Sequence, residues 1–80
     1  MKLSIYSLKK ILFQNEASLL NCKTEIGEIT ILDNHEPLIS VLSSGIIKVI
    51  DKDHKEHFFS VKSGFLEVKS DNEVRCIVEE

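Results

Sequence analysis

The chain has 80 residues, 42% of them hydrophobic and 29% charged, with a formal net charge of −3 at pH 7. That length holds one domain, residues 1–80, and the composition is that of an ordinary globular fold. The negative balance argues against nucleic acid as the main ligand, because phosphate contacts need a basic face and Lys9-Lys10 is the only adjacent basic pair.

The first segment, KLSIYSL, alternates, with Leu3 and Ile5 on one face and Ser4 and Tyr6 on the other, which predicts a strand. The N-terminus does not read as a signal peptide, since Lys9 and Lys10 interrupt the apolar run. No apolar run approaches the roughly 20 residues that span a membrane, and the expected setting is cytoplasmic. LKKILFQNEASLL offers Leu8, Ile11, Leu12 and Leu19 at a spacing a helix would accept. β-Branched residues and phenylalanine nevertheless dominate the apolar positions of the chain, so two strands with a bend near Asn15-Glu16 are expected instead.

Further strands are expected in ASLLNCKTE, GEITIL, PLISVLS and GIIKVID. EHFFSVKS and GFLEVKS follow, split by Gly64, and EVRCIVEE closes the chain with Val74, Cys76 and Val78 in phase. Ile47 and Val68 are assigned to the core. Turn formers recur at roughly the 8–12-residue spacing of sandwiches and barrels. The three glycines, Gly27, Gly45 and Gly64, stand at strand boundaries, where a positive φ is useful. The fold class is therefore all-β.

Chemistry is thinly represented. Hydroxyl side chains are present, but no Gly-x-Ser-x-Gly elbow surrounds any of them and no glycine-rich phosphate cradle occurs. Cys22 and Cys76 match no zinc spacing and are expected to be reduced, buried thiols. DKDHKEHFF gathers Asp51, Asp53, His54 and His57, yet His54 and His57 are three apart and a strand would turn them to opposite faces. The stretch is read as a solvated hairpin turn. In DNHEP, His35 can bond a turn carbonyl, or the tip can be a surface shown to a partner. Residue types alone leave both open.

The order of residues carries further. Gly27-Glu28, Ile31-Leu32, Asn34-His35, Pro37-Leu38, Gly45 and then Gly64-Phe65-Leu66-Glu67-Val68 form a series. It resembles the N-terminal domain of the epsilon subunit of F-type ATP synthases, called delta in mitochondria, from Leu3 to Val78. Asp33 stands where that family often has proline, and Glu36 where it usually has a small residue. Both add negative charge, so a matching partner would be expected to supply a base. The family usually continues into a C-terminal pair of helices, and ATP binding is not expected without them.

The resemblance implies a flattened two-layer β-sandwich of about ten short strands. It implies a non-catalytic rotor element of the central stalk, between the gamma subunit and the c-ring, peripheral on the cytoplasmic side of the inner membrane. No cofactor is implied. Carried over residue by residue, Glu28, Asn34, His35 and Pro37 fall on the c-ring side. Leu38, Ile39 and Leu42 are the candidates for the gamma side. The competing reading is a free-standing β-domain that binds a peptide or small ligand through an open strand edge. A third, an enzyme using His35 and Asp33, lacks a catalytic set.

Overall fold

A computed structural model describes residues 1–80. Eight strands follow one another: β1 (Lys2–Tyr6), β2 (Ile11–Thr24), β3 (Gly27–Leu32), β4 (Leu38–Leu42), β5 (Gly45–Asp51), β6 (Glu56–Val61), β7 (Ser63–Val68) and β8 (Glu73–Glu79). The all-β reading holds, with eight strands rather than about ten.

The main departure is β2. Its 14 residues run unbroken through Asn15 and Glu16, where a bend between two strands was expected. What changes there is the partner. Ile11 to Glu16 pair antiparallel with β1, whereas residues from Ala17 onward pair with β5 and β3. The register against β5 slips between Ala17 and Leu19. Such a bulge bends a strand and sharpens its twist, which lets one strand serve two layers.

One layer runs β1-β8-β7-β4, and the other places β3 and β5 on either side of β2, with β6 beyond β5. The first and last strands, β1 and β8, lie side by side in parallel, Leu3 opposite Val74 and Ile5 opposite Cys76. Alternate residues of both layers meet in one core of 16 buried side chains. Leu3, Ile5, Leu66, Val74 and Cys76 come from one layer and Leu20, Cys22, Ile31, Ile47 and Val49 from the other, all exposed by no more than 1%. Full burial of a side chain such as Leu or Ile contributes about 1.5–3 kcal/mol.

Gly27 begins β3 with φ 127°, a conformation other residues adopt only under strain. Gly64 has a different reason. A Cβ there would lie 2.4 Å from the Ile77 carbonyl oxygen on the neighbouring strand, so the close approach of β7 and β8 excludes a side chain.

Candidate functional site

The β3–β4 connection, Asp33 to Pro37, lies outside the strand ladders, and its shape is set by a few specific bonds. The His35 amide donates to the Leu32 carbonyl at 3.2 Å, closing a turn. Asn34 sits in the left-handed region at φ 61°, which asparagine tolerates better than most residues. Its amide donates to Oδ1 of Asn72 at 2.7 Å, from a turn 38 residues further along the chain. Asn72 Nδ2 in turn lies 3.5 Å from Asp33 Oδ1.

The amino group of Met1 completes the arrangement. It donates to the Ala17 carbonyl at 2.9 Å and pairs with the Asp33 carboxylate. That hydrogen bond first, the amino charge second and Asn72 third hold the Asp33 carboxyl below its ordinary range. The charge that Asp33 brings to the tip is thus answered from within the chain, so no compensating base is required of a partner at this position.

The half-buried imidazole of His35 donates from Nδ1 to the Glu36 carbonyl at 2.7 Å and leaves Nε2 without an intrachain partner. That satisfies the turn-bonding role and leaves one ring nitrogen unbonded within the chain. Pro37 is exposed and fixes the backbone where the tip returns to β4. Glu28 is exposed at the start of β3, opposite Lys23 in the ladder. It shares a shallow groove of about 260 Å³ with Ile26, Ile29, Leu38, Ile39 and Ser40. Glu28 and the tip therefore occupy the two ends of β3, and the chain returning through Leu38 and Ile39 closes one side of the groove.

The three residues expected on the gamma side do not share a face. Leu42 is 2% exposed and belongs to the core, while Leu38 is partly buried against it. Ile39, one position out of phase, is 76% exposed. A strand turns successive side chains to opposite faces, so the outward residues of β4 are Ile39 and Val41.

Val41 begins an apolar row. It stands opposite Phe65, Phe65 opposite Ile77, Ile77 opposite Tyr6, and Tyr6 opposite Ile11. The row crosses five strands on the outer face of one layer. Beside it lie Ile39, Glu67 and Arg75, also in register.

The Asp51–His57 stretch is less solvated than its charge suggests. Asp51 is buried at 7% exposure and folds back on the hairpin. His54, in the left-handed region at φ 65°, is exposed and does not join it. No group of three or more His, Cys, Asp or Glu side chains is arranged to hold a metal ion. Cys22 and Cys76 are free, buried thiols. No helix is long and apolar enough to cross a membrane.

The whole chain, residues 1–80, matches the family described as ATP synthase, Delta/Epsilon chain, beta-sandwich domain. The chain belongs to this family. An ATP synthase epsilon chain of Leptospira interrogans is 37% identical over 79 residues, which are 99% of this chain and 61% of the relative. One from Dichelobacter nodosus is 38% identical over 66 residues, 82% of this chain and 46% of the relative. The chain thus spans about half the length of several of the epsilon chains it matches.

Two solved structures share the fold. A chain in the mitochondrial ATP synthase of Euglena gracilis superposes with a TM-score of 0.93 at 22% identity, over 100% of this chain and 51% of that one. A chain in the central stalk and c-ring of the Tetrahymena thermophila mitochondrial enzyme gives 0.83 at 20% identity, over 100% and 63%.

Asn72 is the residue of this arrangement that the sequence did not single out. Its one local signal is the Ser70-Asn72 turn, where an asparagine is the residue best suited to a left-handed conformation.

Proposed function

We propose that this chain is a non-catalytic central-stalk subunit of an F-type ATP synthase. It links the gamma subunit to the c-ring and helps couple ion translocation to ATP synthesis. It sits peripherally on the cytoplasmic side of the inner membrane, without inserting, and takes no cofactor. The observation that carries this reading is family membership over residues 1–80.

Asn34, His35 and Pro37 at the tip, with Glu28 at the other end of β3, are assigned to the c-ring side. A short, internally braced polar tip suits a contact with polar loops, where complementarity sets register more than affinity. The gamma side is the outward apolar face, Ile39 and Val41 with Phe65 and Ile77. Leu38 and Leu42, in the inward phase of β4, are not part of it. Contiguous exposed apolar surface of this kind marks protein contacts.

Co-expression with the gamma subunit of the same genome, followed by size-exclusion chromatography, tests the reading. A one-to-one complex is expected. Separate elution of a folded, monomeric chain would remove it.

A further inference from the structure

We infer that Asn72, on the β7–β8 turn, is a positioning residue for the Asn34–Pro37 tip and thereby sets the geometry of the c-ring contact. The inference rests on the reading that this tip meets the c-ring.

The tip has few bonds of its own. Between Leu32 and Leu38 one backbone bond, His35 to Leu32, closes the turn. The Asn34 amide points away from it and would face water without Asn72. Asn72 Oδ1 receives that amide at 2.7 Å, while its Nδ2 faces the Asp33 carboxylate. The backbone of the same residue is itself anchored, since the Asn72 carbonyl accepts the Lys2 amide at 3.0 Å. One residue therefore joins the start of β1, the β7–β8 turn and the tip.

Two demands select asparagine. The side chain must accept from an amide and donate to a carboxylate at once, which a primary amide does and a carboxylate does not. The backbone must hold φ 60°, which favours glycine, asparagine and aspartate. Glutamine has the right amide but no such tolerance. Aspartate has the tolerance but would set a second negative charge against Asp33. A tip ordered in advance loses less freedom on docking, so its contact is tighter than that of the same residues on a free loop.

The test uses Asn72→Gly, which keeps the left-handed backbone and removes only the amide. Amide hydrogen exchange by NMR is expected to accelerate about fivefold at Asn34, the usual scale of one such bond, and to stay unchanged at the strand amides of Ile47 and Leu66. Affinity for a purified gamma–c-ring complex in detergent is expected to fall about fivefold, with affinity for gamma alone unchanged. An unchanged Asn34 exchange rate in Asn72→Gly would overturn the positioning role. Faster exchange with unchanged c-ring affinity would show that the ordered tip does not set the contact. A wild-type chain that binds gamma but gains nothing from the c-ring would instead remove the functional reading on which the inference rests.

Discussion

His57 Nε2 stands 2.8 Å from Asp51 Oδ2, and the other oxygen of the same carboxylate accepts the amides of Asp53 at 2.8 Å and Lys55 at 3.0 Å. The β5–β6 hairpin is therefore closed by one buried acid. Phe13 packs against the imidazole edge-to-face, with ring centroids 5.2 Å apart.

Asp51 gives the domain a defined acid limit. The His57 bond first, then the Lys55 amide, depress its carboxyl to about 2. A carboxyl whose folded value lies below its unfolded value, near 3.9, stabilises the fold above the unfolded value. That contribution is lost as pH falls from about 4 to about 2. Urea unfolding followed by circular dichroism across this range should show Asp51→Asn less stable than wild type at pH 7. The gap should close towards pH 2. A gap that stays constant with pH would refute this assignment.

Gly64 should not accept a methyl group. The neighbouring obstacle is backbone, the Ile77 carbonyl, so β7 and β8 must separate to make room. Gly64→Ala is expected to cost about 1–3 kcal/mol, the usual scale of overpacking. Denaturant midpoints at constant slope would measure it, and an unchanged midpoint would mean that the two strands part freely.

The two thiols should be silent in the native state. Burial pushes the Cys22 thiol up to about 11, and Cys76 is raised further by burial and by its neighbour Cys22. The reactive species is the thiolate, so at pH 8 a disulfide reagent such as dithiobisnitrobenzoate should label neither until the chain unfolds. In guanidinium both should react. Rapid native labelling of either would show that the layers open locally at that thiol.

Much of the architecture was legible because a strand repeats every two residues. Leu3 and Ile5, Ile47 and Val49, and Val74, Cys76 and Val78 alternate in the sequence and are buried in the structure. The continuity of β2 was hidden by the same rule. Gln14, Asn15 and Glu16 are consecutive and all exposed, since neither face of a strand is covered where it passes from one layer to the other. Their polarity therefore read as a break. Leu42 was grouped with Ile39 by hydrophobicity, against the phase that separates them. Nothing in a charge-rich run distinguishes Asp51, which folds back on its own turn, from Asp53, which does not. The partner of Asn34 was out of reach for another reason. The bond to Asn72 depends on the antiparallel pairing of β4 with β7, which sets Leu38 opposite Val68 and so brings the tip beside the β7–β8 turn, and no local pattern encodes a contact across 38 residues.

The unbroken course of β2 also has a mechanical meaning. Two sheets held together only by side-chain packing can slide, because apolar contacts have no direction. Here one covalent backbone is woven into both, hydrogen-bonded to β1 in its first half and to β3 and β5 in its second. A sideways load on one sheet is passed to the other through peptide bonds, and shearing them apart would require stripping a ladder residue by residue. Twisting force applied at the tip should therefore reach the opposite face with little lost to internal slip.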